Sequence, residues 1–284
     1  MAAKTKTARP GTRPSRVKSG GAKPGRAKPD GGELRILVTN DDGIYAPGLK
    51  VLERIAKLLS NDVWVVAPEA EQSGASHSLT LHDPLRKRRL SSRRFSVSGT
   101  PTDCVVMAID EIIPPPRPTL LLSGVNRGAN LAEDVSYSGT IAAAMEGTLL
   151  GVPSVALSQV CRNGRPVPWS TVEAHAPDLL RKLLKRGWPK EVLLNLNFPD
   201  VASNAVSGIH VSVQGRRDAE SIEVHERRDP RGNSYYWIGF RTMSGTPPKN
   251  TDLGVVEAGA ISVTPLQLNL THEGARRGLQ AAIK

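Results

Sequence analysis

The chain has 284 residues, a net charge of +11 and two cysteines, Cys104 and Cys161; a disulfide framework is excluded, and neither cysteine has zinc-like CxxC spacing. Its longest apolar runs, such as TLLLSGV and VWVVAP, fall far short of the ~20 residues of a membrane span, and no apolar stretch of signal-peptide kind follows the basic N-terminus, so the expectation is a soluble, cytoplasmic protein. Residues 1 to 32 hold nine Lys or Arg and one Asp, leaving 29 basic and 26 acidic residues and a net charge of only +3 for the rest. That Pro-, Gly-, Ser- and Lys-rich segment has too little apolar surface to offset its ordering entropy. Residues 1–33 are therefore expected to be a disordered basic tail and residues 34–284 the folded part. The tail can touch polyanions loosely, but the aromatic-poor body has no stacking platform for single strands.

After the tail, strand-like and helix-like patterns alternate. LRILVTN is a short apolar strand, and GLKVLERIAKLLS places Leu49, Leu52, Ile55 and Leu58 on one helical face. DVWVVAP is a second strand. SVSGTPTDCVVMAIDEII divides into a strand, a turn and a helix starting near Pro101, because proline suits the first helical position. TLLLSGVN is a buried strand, SGTIAAAMEGTLLG an Ala-rich helix and PSVALS a further strand. TVEAHAPDLLRKLLKRG is a helix whose Pro177 adjusts a boundary, followed by the strand EVLLNLNFP. The alternation predicts an α/β fold with a mostly parallel sheet and helices on both faces. In the last third, GIHVSVQGRR, SYYWIGF and AISVTPLQLNL are strand-like with no helices between them, which predicts β-hairpins leaving the main sheet. The charged segment Arg216 to Arg228 leads into the turn DPRGN and has the character of an arm reaching a neighbouring subunit.

Ligands of open parallel sheets bind beyond the carboxyl ends of the strands, where the polar clusters of this chain fall. Asp41 and Asp42 follow the first strand, Ser73 the second, Gly99 and Thr100 a later one, and Asn126 ends TLLLSGVN. Two carboxylates, a hydroxyl and an amide are hard oxygen donors that suit Mg²⁺ or Mn²⁺ better than zinc or copper. A divalent cation would also relieve the repulsion between adjacent carboxylates. Ser138, Gly139 and Thr140 stand where a helix N-terminus offers free N–H groups to an anion such as phosphate. Each piece alone has a structural alternative: Asp-Asp-Gly is a tight turn, Ser73 a loop cap, Asn126 a turn residue and Ser138 to Thr140 an ordinary N-cap. Their joint placement at successive strand ends favours the cation. A P-loop and a Gly-x-Gly-x-x-Gly fingerprint are both missing, which disfavours triphosphatases and dinucleotide enzymes.

Six segments in order, ILVTNDDGIYAPG, VVAPEAEQSGASHSLTL, GTPTDCV, SGVNRGANLAEDVSYSGTIAAAMEG, DPRGNSYYWIG and ISVTPL, together resemble the SurE family of metal-dependent 5'/3'-nucleotidases, also called stationary-phase survival proteins. The resemblance runs from about Leu34 to Leu270. It implies a Rossmann-like, three-layer α/β sheet with a β-hairpin extension exchanged between subunits of a homodimer or tetramer. It also implies one divalent ion per subunit, Mg²⁺ or Mn²⁺, on Asp41, Asp42, Ser73 and Asn126. The implied reaction is hydrolysis of nucleoside 5'- and 3'-monophosphates, in some members with exopolyphosphatase activity on short chains. Glu71-Gln72, where a basic residue is frequent, and His77, where a smaller polar residue is common, depart from the pattern and bear on substrate preference.

The resulting hypothesis is a phosphomonoesterase in which the cation on Asp41, Asp42, Ser73 and Asn126 binds a phosphoryl oxygen and activates water. Asn40, Gly99, Thr100, Asn130, Ser138, Gly139 and Thr140 orient the phosphate. A carboxylate nucleophile forming an aspartyl-phosphate stays open beside the water. His77, His82 and His175 are read as solvated or structural side chains before catalytic ones. The alternative from another class is a nucleic-acid-associated protein using the basic tail, whose binding would depend steeply on salt. A phosphatase with an Asp-x-Asp nucleophile is disfavoured, because the aspartates here are adjacent.

Overall fold

The computed structural model describes residues 26–27, 33–161, 165–217, 222–240 and 245–283. The predicted disordered tail lies almost entirely outside the described residues. Within it, the two-residue strand β1 (Arg26–Ala27) pairs antiparallel with β8 (Trp188–Pro189).

The body is built on β2 (Arg35–Thr39), α1 (Pro47–Lys57), β3 (Asp62–Pro68), β4 (Lys87–Ser91), β5 (Arg94–Val97), α2 (Pro101–Met107), β6 (Leu120–Arg127) and the single turn α3 (Asp134–Tyr137). The chain continues through α4 (Gly139–Leu149), β7 (Ser154–Gln159), α5 (Trp169–Arg186), β9 (Val192–Phe198) and β10 (Ile209–Val211). After β11 (Ile222–Arg228) and β12 (Ser234–Phe240) come α6 (Asp252–Glu257), β13 (Ile261–Gln267) and α7 (Glu273–Ala282). Nine strands form one sheet in the order β10-β13-β9-β7-β6-β2-β3-β5-β4. Only β4–β5 and β9–β13 are antiparallel neighbours within it.

Alternation along each strand divides the apolar residues between two layers of helices. Ile36 and Val38 of β2 pack with Leu52 and Ile55 of α1 and with Ala176 and Leu180 of α5. Leu37, between them, joins Val105 of α2 and Ile141 and Ala144 of α4 on the opposite face. Burying each such Leu or Ile contributes roughly 1.5–3 kcal/mol, which holds the sheet centrally and leaves its carboxyl edge to the loops. The Rossmann-like three-layer expectation is met. From β2 the chain first winds outward to β3 and then returns to place β6 on the other flank of β2. That reversal makes the β2–β6 boundary the topological switch point, where a crevice opens beyond the strand ends.

Several expectations need correction. Pro177 lies inside α5 rather than at its boundary, because packing of a long apolar face outweighs the loss of one helical hydrogen bond. The last third does contain helices, α6 and α7. Strands β10 and β13 are members of the main sheet, and only β11–β12 leaves it as a two-stranded ribbon. β13 has the alternation of a hairpin strand, but it lies between β9 and β10 with five of its seven residues buried. The basic edge strand β4, KRRLS, went unrecognised for want of apolar alternation; its charge suits an edge that must not pair with another chain. No described helix is long and apolar enough to cross a membrane.

Candidate metal and phosphate site

Asp41 and Asp42 stand immediately beyond β2, where Gly43 takes φ = +99° and lets the chain turn back. The main chain of this turn is tied to the next loop, for Gln72 N–H donates to the Asp41 carbonyl at 2.8 Å. Ser73 is thereby brought beside the pair. On the other flank, the register of β6 against β7 shifts between Ser123 and Asn126, and this irregularity re-aims Asn126 at the rim.

Asp41, Asp42, Ser73 and Asn126 all line one cavity of about 990 Å³. Asp41 is buried and accepts the Thr140 hydroxyl proton on Oδ1, with a further hydrogen bond from the Thr140 backbone. Burial holds its carboxyl above the usual range, against the opposing pull of those hydrogen bonds. Asp42 is pushed up to about 6, first by burial and then by the charge of Asp41, although the Arg127 backbone N–H donates to it. Ser73 Oγ donates to Glu71 Oε1 at 2.9 Å, and Asn126 Nδ2 donates to the Gly128 carbonyl at 3.1 Å. Lone pairs of the Ser73 hydroxyl and the Asn126 carbonyl are thus left for a cation.

This donor set fits a hard divalent ion. Two crowded carboxylates whose ionisation is opposed by burial and mutual repulsion gain most from a +2 charge between them, and the remaining donors are neutral oxygens. Among the described residues no group of three or more His, Cys, Asp or Glu could hold a metal, so a site rich in imidazole or thiolate has no support. The four expected ligands contain only two residues of those types.

The other expected site residues divide. Asn130 and Ser138 line the cavity. Asn130 is held by its neighbours: its N–H donates to Asn197 Oδ1 at 2.9 Å, its Nδ2 to Ser158 Oγ at 2.8 Å, and its carbonyl accepts from Asn195 and Asn197. Ser138 caps α4, accepting from Ile141 N–H at 3.1 Å, so its own hydroxyl proton is available to a ligand. Gly139, Thr140, Asn40, Gly99 and Thr100 do not line the cavity. A Cβ at Gly139 would lie 2.7 Å from Asp41 Cβ, so glycine there is what allows α4 to abut Asp41. Asn40 is buried, donating to the Gly43 carbonyl at 3.1 Å, and its Oδ1 has no partner among the described residues. Thr100 caps α2 in a reciprocal box with Asp103, at 3.1 and 2.9 Å, and its hydroxyl donates to the Ser78 carbonyl.

Residues that sequence reasoning did not select complete the enclosure. Arg217 forms a fork on Asp134, 2.7 Å to each oxygen, joining the loop after β6 to the root of the β11–β12 ribbon. Ile222 and Ile238 of that ribbon face the cavity, as does Arg127. Asp252, fully buried at the start of α6, accepts backbone N–H groups from Ala132 at 2.9 Å and Gly215 at 2.8 Å. Of these, Arg127 had a sequence signal in its place inside SGVNRGAN and Ile238 in its place inside DPRGNSYYWIG; Arg217, Ile222 and Asp252 lie outside every quoted motif.

The geometry agrees with what the chain is similar to. The family profile described as "Survival protein SurE" matches residues 36–221. A protein named 5'-nucleotidase SurE from Parvibaculum lavamentivorans is 57% identical over 252 residues, covering 88% of this chain and 91% of its own. Its namesake from Paramagnetospirillum magneticum is 55% identical, with 89% and 97% covered. The crystal structure of the SurE protein from Aquifex aeolicus superposes with a TM-score of 0.77 at 37% identity, covering 88% of this chain and all of the other. The chain belongs to the SurE family.

Proposed function

We propose that this protein is a divalent-metal-dependent phosphomonoesterase that hydrolyses nucleoside 5'-monophosphates, and 3'-monophosphates with them, to nucleoside and phosphate. The observation that carries the proposal is the convergence of Asp41, Asp42, Ser73 and Asn126 on one cavity at the switch point of the sheet. The relatives named 5'-nucleotidase, matched over nearly their whole length, support the substrate class.

Those four residues would hold the ion, Mg²⁺ or Mn²⁺. When bound there, the ion supplies Lewis-acid polarisation of a phosphoryl oxygen and offsets the negative charge that develops on it. Ser138, with a free hydroxyl proton at the N-terminus of α4, donates to a phosphate oxygen and orients it. Asn130, fixed by three neighbours, shapes the same wall without rearranging when substrate enters. His77 pairs with Glu146 at 2.9 Å and His175 with the Ser203 carbonyl at 2.9 Å. Neither lines the cavity, so neither is assigned the protonation of the leaving alkoxide, for which solvent suffices.

The ribbon β11–β12 serves as an arm that packs on a second copy of the chain in a dimer or tetramer. Val224, Tyr236, Trp237 and Ile238 are exposed on it, and a two-stranded ribbon is marginally stable without a partner surface.

A panel of 5'- and 3'-nucleotides and simple phosphomonoesters, assayed with Mg²⁺, Mn²⁺ or chelator, tests the reaction and the cofactor together. Turnover of nucleotides that chelator abolishes, and that Asp41→Asn lowers by about 100-fold or more, is expected. Activity indifferent to chelator, or an Asp41→Asn variant near wild type, would overturn the proposal.

A further inference from the structure

We propose that Arg127 binds the phosphoryl group of the substrate directly, as the cationic side chain that complements the metal ion. The inference rests on the phosphomonoesterase function proposed above. Arg127 is the last residue of β6, and its backbone pairs in register with Gln159 of β7 while its N–H donates to Asp42. The attachment point of the side chain is therefore fixed beside the ligand pair. The side chain itself is exposed, lines the same cavity as Asp41, Asp42, Ser73 and Asn126, and makes no hydrogen bond or ion pair among the described residues. Its charge nevertheless reaches Asp42, whose ionised form it favours.

The charges in the cavity call for such a group. Asp41, Asp42 and Glu71 all line the cavity, and a phosphate monoester arrives with a charge of about −1.5 to −2 at neutral pH. One divalent ion offsets the charge of the two aspartates and no more. Among the described residues the other cationic side chain on the cavity wall, Arg217, is already committed to both oxygens of Asp134 and to the Leu131 carbonyl. Arg127 is free to present its planar fork of donors, a geometry that matches two phosphoryl oxygens at once. Lysine offers a single ammonium and reproduces this only in part.

The test compares wild type, Arg127→Ala and Arg127→Lys as full chains. It measures Mn²⁺ binding by calorimetry, inorganic phosphate binding to the Mn²⁺-saturated protein by the same method, and AMP hydrolysis. Arg127→Ala is expected to weaken phosphate binding and raise KM about 10- to 100-fold, by loss of a charge-assisted, bidentate contact. Mn²⁺ affinity should stay within about threefold or rise, because a like charge has been removed. Arg127→Lys should fall between the two. Phosphate affinity of Arg127→Ala equal to wild type overturns the proposal, as does a variant that loses Mn²⁺ affinity while keeping phosphate affinity at saturating metal, for then Arg127 acts only on the ligands. If wild type turns over no nucleotide, the proposed function fails, and the phosphate calorimetry still decides whether Arg127 is an anion site.

Discussion

Asp41 is set by what surrounds it. The Thr140 hydroxyl and backbone both bond to it, and Gly139 leaves room for α4 to approach. Thr140 was expected to bind phosphate; its hydroxyl and backbone both bond to Asp41, the contact by which it would orient that carboxylate as a ligand of the proposed ion. Groups that orient ligands typically account for 10- to 100-fold in metal affinity. Thr140→Val should therefore weaken Mn²⁺ binding by about that factor, and Thr140→Ser should restore most of it. Equal Mn²⁺ affinities for wild type and Thr140→Val, by calorimetry, would remove the residue from this role. The aspartate pair was legible as a candidate because Asp-Asp-Gly directly follows an apolar strand. The function of Thr140 was not, since it depends on a contact between residues 99 positions apart.

Among the elements, the β11–β12 ribbon makes the clearest claim on a partner. Its strands pair from Ile222↔Phe240 to Arg228↔Ser234, and among the described residues it joins no other strand. Trp237 is 64% exposed and Ile238 73% exposed, too much apolar surface for a solvated arm to carry without cost. Trp237→Glu should lower the mass observed by sedimentation velocity toward that of a monomer while leaving the circular dichroism of the body unchanged. Sedimentation identical to wild type would count against the ribbon as the subunit contact. The turn DPRGN announced the ribbon locally, for Asp229 accepts from the Arg231 and Asn233 N–H groups at 2.8 and 2.9 Å. Nothing local distinguished this hairpin from β13, which looked like its equal and lies in the main sheet.

For the molecule as a whole, the two raised carboxyls carry a stability cost that depends on pH. Asp42 has its carboxyl raised from 3.8 to about 6 in the fold, and Asp41 moves in the same direction. The native state then holds these protons more tightly than the unfolded chain, so the contribution of Asp42 to stability is fully present below about 4 and is lost as pH rises through about 6. The proposed divalent ion, held by the ionised pair, would compensate where that loss is complete. At a metal concentration 100 times Kd the gain is about 2.7 kcal/mol, a rise of several degrees in Tm for a chain of this size. Thermal melts should show a larger Tm increase from Mn²⁺ at pH 8 than at pH 5. Equal increments at the two pH values would mean that the pair does not hold the ion.

Sequence alone determined the alternating α/β pattern, the two layers of helices and the attachment of Asp41, Asp42, Ser73 and Asn126 to strand ends. Each is written in short-range periodicity or in a motif that touches an apolar run. Tertiary structure decided the strand order that makes β2–β6 the switch point. It also decided the contact of Thr140 with Asp41, the capping of α2 by Thr100, the placement of β13 and the exposure of Arg127 on the cavity wall. These are contacts between distant segments, and their energies arise only when packing brings the segments together; periodicity along the chain carries no record of them.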